Sequence, residues 1–232
     1  MIIMSGSLSE VQVEDQSFLF FIRDNEDYIQ SLHAQGQLYE QDELLKLREY
    51  VKLGGVLVEI GSNVGNHTVF MAKCFHPRRI YVVEPNPYAR SLLEINCKLN
   101  MCGVVDFKYA SFAISDRGAF GTMSFSKDNI GAATISLFGG EIIVVPGDQL
   151  FSNERVDMIK IDVEGMENLV LSGLSETIRR CKPIIFIEVC DGNLKSVEAF
   201  FIKFGYRLEY SLERHKTQHN RIYLPNSRDV DS

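Results

Sequence analysis

Short apolar segments alternate with amphipathic segments over most of this chain, and no other feature constrains its fold as strongly. Val56–Ile60 and Arg79–Val83 have the length of buried strands, and each is followed by a segment of helical length, Val64–Phe75 and Tyr88–Leu99. Because consecutive parallel strands need a crossover connection, usually a helix, this order predicts an α/β fold with a mostly parallel sheet and helices on both faces.

The alternation continues towards the end of the chain. Further strands are predicted at Val104–Tyr109, Val156–Ile161, Pro183–Ile187, Tyr206–Tyr210 and Arg221–Leu224. Further helices are predicted at 165–174 and 194–204. The last two strands have no helix between them, so we expect them to run antiparallel in a sheet of about seven strands.

The first 52 residues lie outside this alternation. They contain one short apolar run, Phe18–Ile22, and two acidic segments of helical length, at about 26–34 and 40–52. We interpret residues 1–52 as an N-terminal acidic helical extension or cap, and residues 53–232 as one domain.

A second excursion interrupts the domain at residues 112–150. It holds two β-like runs, at 122–126 and 141–145, around a loop of small residues at 128–136. A long excursion inside a compact domain is often a functional lid, and the alternative is a plain surface hairpin. The sequence leaves both interpretations open.

The net charge of −7 comes entirely from residues 1–50, which hold 3 basic and 10 acidic side chains. Proteins that grip a phosphate backbone cluster Lys and Arg on one face, and this chain has no such stripe. The one basic stretch, Arg214–Arg221, is interpreted as a solvated loop. The charge pattern therefore predicts no nucleic-acid partner.

Apolar runs and cysteines bear on location. The early apolar run Phe18–Ile22 is far shorter than the roughly 20 residues of a membrane-spanning helix, so no membrane partner is predicted. The first residues lack the basic and apolar regions of a secretory signal. None of the five cysteines forms a Cys-x-x-Cys pair, which predicts free thiols and a cytoplasmic location.

The most informative segment is Glu59-Ile-Gly-Ser-Asn-Val-Gly-Asn-His-Thr68, which joins the first predicted strand to a helix. Gly61 permits a tight turn, Gly65 lets the helix start approach a ligand, and the helix start offers unpaired N–H groups. The dinucleotide fingerprint G-x-G-x-x-G has a glycine at the place of Asn63. The observed spacing therefore disfavours a nicotinamide-dependent oxidoreductase.

Glu84 ends the second predicted strand, 23 residues after Gly61. An acidic side chain at this point can accept hydrogen bonds from both ribose hydroxyls of a nucleoside that lies across the strand ends. The combination of strand, glycine turn, helix, strand and acid predicts a nucleoside-containing ligand more specifically than any one of these features.

These residues resemble an S-adenosylmethionine-dependent methyltransferase of the FkbM type, in the class I superfamily. The resemblance covers about residues 36–225, through the Glu59–Thr68 segment, Val-Val-Glu84-Pro85, Lys160-Ile-Asp-Val-Glu-Gly-Met-Glu167 and Ile-Ile-Phe-Ile-Glu188-Val. It implies a Rossmann-like sheet in the order 3-2-1-4-5-7-6 with strand 7 antiparallel. It also implies O-methylation of a hydroxyl on a small molecule or sugar. The family usually has Asp where this chain has Glu59, which keeps the charge but moves it by one methylene.

The resemblance also implies which residues bind the cofactor. Those around its methionine part would be Glu59, Gly61, Asn63 and Gly65. Glu84 would hold the ribose, and those near the adenine would be Pro85, Asn86, Ser111, Phe112 and Ala113. An aromatic side chain at a strand end, such as Phe112, is as often part of the core. Tyr39-Glu40 resembles the family's entry segment, and its alternative is an exposed helix start.

Transfer of a methyl group to a hydroxyl requires a nearby base, because the hydroxyl proton leaves during attack. Asp162, at the end of the fourth predicted strand, is the first candidate, and Glu188 ends the neighbouring strand on the same edge. Lys160 lies on the same side of its strand as Asp162 and would pair with a carboxylate or orient the acceptor. Glu164 follows as a substrate contact.

Other roles for these side chains remain open. Glu167 and Glu164 also suit a first helical turn, where the helix dipole favours acids. His67 is a further base candidate or a buried structural histidine. Asp162 with Glu188 would suit Mg²⁺, but no third ligand is evident and no metal is assigned.

Two other classes of function remain as alternatives. One is a methyltransferase acting on a nitrogen or a macromolecule, although the Asn/Asp-Pro-Pro-aromatic motif of base N-methyltransferases is absent. The other is a binding or scaffold module that has kept the fold without catalysis. Neither the acceptor nor the oligomeric state follows from the sequence.

Overall fold

The computed structural model describes residues 5–126, 129–137, 139–214 and 217–226. The chain begins with an antiparallel hairpin of β1 (Ser7–Val13) and β2 (Gln16–Ile22), followed by the helices α1 (Tyr28–Ala34) and α2 (Gln41–Arg48). The sequence pattern predicts no strand before Phe18, because β1 is largely polar and only its last alternate residues are buried. Strand β1 is therefore an addition to the strand and two helices predicted for this region.

The remaining elements fall into three groups along the chain, of which the first and third follow the predicted alternation. The first group is β3 (Val56–Ile60), α3 (Asn66–Cys74), β4 (Arg79–Val83), α4 (Pro87–Leu99) and β5 (Val105–Asp106). The second is β6 (Ala113–Ser115), β7 (Ala119–Ser126), β8 (Asn129–Ser136) and β9 (Ile142–Pro146). The third is α5 (Gly147–Phe151), β10 (Met158–Ile161), α6 (Glu167–Gly173), α7 (Ser175–Cys181), β11 (Ile184–Cys190), α8 (Leu194–Lys203), β12 (Tyr206–Arg214) and β13 (Gln218–Pro225).

Seven of these strands form the central sheet, in the order β12-β13-β11-β10-β3-β4-β5. Strand β13 runs antiparallel to the other six strands of this sheet, which share one direction. When these strands are numbered along the chain, the order is 3-2-1-4-5-7-6, as the resemblance implies. The winding direction reverses between β3 and β10, and open α/β sheets bind ligands beyond the carboxyl ends of the strands at such a point.

The central sheet has a buried cluster on each face. On β3, Val56, Val58 and Ile60 belong to one cluster, whereas Leu57 belongs to the other. The second cluster includes Phe18 and Phe20 of β2, both with no exposed surface. Residues that precede β3 in the sequence therefore contribute to the core of the central sheet. Alternate residues of a strand point to opposite faces, so β3 contributes to both clusters.

The excursion at 112–150 forms a second sheet of four strands, in the order β6-β9-β7-β8. The predicted loop at 128–136 is wrong for residues 129–136, which form β8 and pair antiparallel with β7. Small residues have low strand propensity, so the sequence gives little indication of a strand here. The strand is stabilised by its pairing with β7.

The basic stretch is also different from its interpretation as a solvated loop. Arg214 ends β12, where its guanidinium donates two hydrogen bonds to the buried Glu43. Arg221 lies within β13, 8% exposed, and donates to Glu198 at 2.6 Å. Alternate residues of a strand point to opposite faces, so a run of charged residues on a strand is not exposed throughout. Both arginines pair with carboxylates from other segments of the chain. Residues 215–216 lie outside the described part of the chain.

Among the described helices, α4 is the longest at 13 residues, and none has the length and apolar character needed to cross a bilayer.

Candidate active site

A cavity of about 270 Å³ lies beyond the carboxyl ends of the central strands. Its floor comes from strand ends and the loops that follow them, and its cover comes from the N-terminal region and the four-stranded sheet. The floor includes Gly61, Asn63, Glu84, Pro85, Asn86, Ala113, Asp162, Glu164 and Glu188. The cover includes Asp27, Tyr28, Tyr39, Met123 and Ile135. The N-terminal region and the four-stranded sheet therefore cover the point between β3 and β10 where the winding direction of the central sheet reverses.

The two glycines of the first loop have different reasons to be glycine. Gly61 has φ +81°, and a Cβ there would lie 1.8 Å from the carbonyl oxygen of Asp162, so the turn packs directly on the end of β10. Gly65 has φ +89°, and a Cβ there would lie 2.7 Å from Leu93 Cδ1 on α4. Gly65 does not line the cavity. Its described surroundings therefore show a packing role against α4, and its approach to a ligand stays a prediction.

Glu84 lies at the cavity wall, held by the backbone of two loops. Its Oε2 accepts the Asn63 N–H at 2.8 Å, and its Oε1 accepts the Asn86 N–H at 2.9 Å. The side chain is 8% exposed, and this burial raises its pKa to about 7 even though both hydrogen bonds lower it. Each carboxylate oxygen keeps a second lone pair for a hydroxyl donor.

The predicted adenine contacts divide into two groups. Pro85, Asn86 and Ala113 line the cavity, and Asn86 also caps α4 by accepting the Tyr88 N–H at 3.0 Å. Ser111 is exposed and does not line the cavity. Phe112 does not line it either: its ring stacks on Tyr109, 6.4 Å between centroids, against the core.

Glu59 is fully buried and does not line the cavity. Its Oε2 accepts a hydrogen bond from Thr68 Oγ1, and its Oε1 lies 3.9 Å from Lys160 Nζ without a hydrogen-bond partner among the described residues. Burial raises the pKa of Glu59. The Glu59 side chain thus packs against β10 and α3. It lies below the cavity surface, where the predicted contact with the amine of the cofactor would be made.

Lys160 is a buried cation beneath the floor of the cavity, 2% exposed. Its Nζ lies 3.2 Å from Asp162 Oδ2 and 3.3 Å from the carbonyl oxygen of Gly61. Burial lowers the pKa of Lys160, but Asp162, Glu59 and Glu40 raise it more, so the ammonium form persists. The ion pair holds the Asp162 carboxylate at the cavity, because a buried ammonium needs a charged partner.

Three carboxylates meet at the end of the cavity next to β10 and β11. Asp162, Glu164 and Glu188 present oxygens that all lie within 4.8 Å of one another. Burial and the nearby Asp162 raise the pKa of Glu164 to about 7 and also raise that of Glu188, whose Oε2 accepts a hydrogen bond from Gln218 at 3.0 Å. Like charges at this distance favour a shared proton or a neighbouring cation. For a cation such as Mg²⁺, Glu164 would supply the third oxygen ligand that was not evident from the sequence.

Glu167, in contrast, is structural in its described contacts. Its Oε1 accepts the Gly165 N–H at 2.8 Å and its Oε2 accepts a hydrogen bond from Asn193. It is 1% exposed at the start of α6 and does not line the cavity. The interpretation of Glu167 as an acid in a first helical turn fits this position.

In the entry segment, Tyr39 is half-buried and Glu40 is buried, so this segment is not an exposed helix start. Tyr39 lines the cavity, and Glu40 is 5% exposed behind it. Glu40 Oε2 lies 3.0 Å from His67 Nε2, and its Oε1 accepts a hydrogen bond from Asn220 at 2.6 Å. Burial would raise the pKa of Glu40, but His67 and Asn220 lower it to about 2. His67 does not line the cavity, so the described contacts favour its structural interpretation.

Sequence reasoning missed several lining residues. Tyr28 starts α1, Met123 and Ile135 face the cavity from β7 and β8, and Gln218 starts β13. No motif marks them. For Tyr28, Met123 and Ile135 the signal was the presence of two unassigned excursions, at 1–52 and 112–150, and Gln218 lies outside both.

The model of the methyltransferase FkbM domain matches residues 59–208. The hexuronic acid methyltransferase AglP of Haloferax volcanii is 29% identical over 154 residues, which are 63% of this chain and 61% of that protein. The chain therefore spans about three fifths of the length of this curated relative.

Solved structures share the fold. Methyltransferase FkbM from Methylobacillus flagellatus KT has a TM-score of 0.57 at 15% identity, over 84% of this chain and 52% of that chain. M. jannaschii TYW2 in complex with AdoMet has a TM-score of 0.50 at 13% identity, over 97% of this chain and 90% of that chain. These similarities confirm the predicted class I methyltransferase-like α/β fold. Because the family model matches more than half of the chain, the chain belongs to the methyltransferase FkbM domain family.

Proposed function

We propose that this chain is an S-adenosylmethionine-dependent O-methyltransferase whose acceptor is a hydroxyl on a small molecule, specifically a sugar. One observation carries the proposal: a single cavity joins the Gly61 and Glu84 end to a cluster of carboxylates at Asp162. The first end suits a nucleoside and the second suits proton removal from a hydroxyl. The name of the Haloferax relative supports a sugar acceptor.

The residues at the first end fit the cofactor. Glu84 would accept hydrogen bonds from the ribose hydroxyls through its remaining lone pairs. Gly61 and Asn63 would border the methionine part, and Pro85 and Asn86 would lie beside the adenine with Ala113. Four further residues that the resemblance implies do not line the cavity, and their roles stay predictions: Glu59, Gly65, Ser111 and Phe112.

The other end would activate the acceptor. S-adenosylmethionine, when bound, supplies a methyl group on a sulfonium leaving group. Asp162 would accept the hydroxyl proton, because Lys160 fixes its carboxylate at the cavity. Glu188 and Glu164 would hold other acceptor hydroxyls through hydrogen bonds. Holding the hydroxyl in line for attack supplies much of the acceleration in such a reaction.

Location and partners belong to the same proposal. All five cysteines are free, which supports a reducing compartment such as the cytoplasm. A cavity of this size supports a small acceptor, and the proposal includes no nucleic-acid or membrane partner.

Calorimetric titration with S-adenosylmethionine, followed by transfer of its labelled methyl group to a sugar panel, tests the proposal. We expect micromolar binding, weakened about 10- to 100-fold in Glu84→Ala, because two charge-assisted hydrogen bonds are lost. Glu84→Gln separates lost ionisation from loop damage, and Glu94→Ala on the outer side of α4 is the matched control. Absence of binding would contradict the proposal, and binding without transfer to any acceptor would favour a binding module.

A further inference from the structure

The cavity has a marked charge bias. Five of its lining residues are acidic: Asp27, Glu84, Asp162, Glu164 and Glu188. Among the lining residues that the structure describes, none is Lys, Arg or His. A site that recognises a carboxylate normally supplies an Arg or Lys partner, because an unpaired buried charge is costly.

The described cations near the acceptor end of the cavity are already engaged. Lys160 is buried with its Nζ 3.2 Å from Asp162 Oδ2, and Glu59 lies on its other side at 3.9 Å. Arg214 places its guanidinium 5.6 Å from the centre of the Tyr39 ring but donates two hydrogen bonds to Glu43, one at 2.7 Å. Neither cation lines the cavity, so neither offers a free partner to an anionic acceptor.

Two acidic residues at this end have no cation within ion-pair distance among the described residues. Glu188 is 9% exposed, and its described hydrogen bond comes from the neutral amide of Gln218. Glu164 lies within 4.8 Å of both Glu188 and Asp162 and is held in the left-handed region at φ +48°. An acceptor carboxylate would add a fourth carboxyl group to this cluster, where burial and the crowding of like groups already raise the pKa of Glu164 and of Glu188.

Resting on the proposed methyltransferase function, we propose that the site takes uncharged sugar hydroxyl acceptors and rejects acceptors that carry a carboxylate, with Glu164 and Glu188 as the specificity-determining residues. Neutral polyols suit these side chains, because carboxylates accept hydrogen bonds from hydroxyls and protonated carboxyls donate them. Like-charge contacts are an established means of excluding a wrong partner.

The test compares acceptors that differ only in charge. The probes are 4-nitrophenyl glycosides of hexuronic acids, the corresponding primary amides and the corresponding hexoses, with labelled methyl transfer as the readout. We expect kcat/KM for the amide and hexose to exceed that for the hexuronate by at least about tenfold, the scale of one like-charge contact in partly buried surroundings. Raising the ionic strength should narrow this ratio, because salt screens repulsion but not a steric clash.

Variants assign the discrimination to its residues. Glu164→Gln and Glu188→Gln keep the side-chain shape and should each narrow the amide-to-hexuronate ratio several-fold, whatever their effect on overall rate. Glu176→Gln, on the surface with its side chain 69% exposed, should leave the ratio unchanged.

Several results would overturn the inference. They are equal or better use of the hexuronate by the wild type, hexuronate use that appears only with Mg²⁺, no transfer to any neutral glycoside, or a ratio that neither variant moves. Cofactor titration separates the two levels. Binding of S-adenosylmethionine with transfer to hexuronates leaves the proposed function standing and removes this specificity, whereas absence of binding removes both.

Discussion

At the scale of single residues, the site is organised around a buried ion pair. Lys160 has only 3% of its side chain exposed, whereas 27% of the Asp162 side chain is exposed. The Lys160 ammonium is therefore out of reach of a ligand and has a structural role, whereas the Asp162 carboxylate is accessible to a ligand. Their spacing of two residues on a strand predicted a shared side, and the structure confirms the contact.

Asp162→Asn tests the proposed base. We expect kcat to fall by about 10²- to 10⁴-fold, the usual contribution of a positioned proton acceptor. The affinity for S-adenosylmethionine should stay within a few-fold, as measured by calorimetry. Asp191→Asn, at an exposed carboxylate that contacts His219, is the control. A fully active Asp162→Asn enzyme would reject Asp162 as the base.

The raised pKa of Glu84 predicts a pH-dependent stability. Burial raises it from 4.5 to about 7, so the folded cofactor-free protein holds this proton more tightly than the unfolded chain. The stabilisation from that proton is complete below about pH 4.5 and is lost as the pH rises to 7. We expect the free energy of unfolding of wild type minus that of Glu84→Gln to fall by roughly 3 kcal/mol over this window. Urea titrations at several pH values measure it, and a pH-independent difference would contradict it.

At the scale of elements, the contact between α3 and α4 decides where the first loop lies. The left-handed Gly65 precedes α3, and Leu93 of α4 occupies the space next to its missing side chain. Asn96 of α4 adds a hydrogen bond from Nδ2 to the carbonyl oxygen of Val64 at 2.8 Å. The loop that borders the cavity is therefore supported from below by helix packing.

Gly65→Ala should destabilise the protein by roughly 1–3 kcal/mol, because a Cβ meets Leu93 and the positive φ disfavours any L side chain. Denaturant unfolding measures the loss. Gly103→Ala is a matched control, since a Cβ at Gly103 meets nothing within 4 Å. Equal stability of the two variants would reject the packing explanation.

At the scale of the whole molecule, segments far apart in sequence close the site. Glu43 of α2 has no exposed side-chain surface and accepts both hydrogen bonds of Arg214 at the end of β12, 171 residues away. Glu40 accepts from Asn220 of β13 across 180 residues. The N-terminal region and the last two strands therefore share one buried polar contact behind Tyr39.

Glu43→Gln should lower the free energy of unfolding by roughly 2–3 kcal/mol. This is less than the cost of breaking a fully buried pair, because the Arg214 side chain is 26% exposed. Glu49→Gln, whose partner Lys46 is on the surface, should cost under about 1 kcal/mol. If residues 1–52 instead fold independently, Glu43→Gln would produce a separate early transition in the denaturation curve.

The division into residues 1–52 and 53–232 stays a prediction. The described residues show why sequence alone could not test it: Phe18 and Phe20 pack in the same cluster as Leu57 of β3. Apolar periodicity reveals that a strand has a buried face but not which segment covers that face. The local sequence pattern therefore predicted the strand at Phe18–Ile22 but not the segment against which its buried face packs.

The sequence by itself determined the alternating α/β architecture, the glycine turn, and the acids at the strand ends, because strand and helix periodicities and glycine conformations are local properties. It also identified Glu84, Asp162 and Glu188 as neighbours, since parallel strands end on one edge. Tertiary structure alone decided that β8 is a strand, that Arg214 is bound to Glu43, and that Glu164 joins Asp162 and Glu188. It also separated the lining residues from Gly65, Glu59 and Phe112. These outcomes depend on contacts between distant segments, and neither spacing nor composition encodes which distant side chains meet.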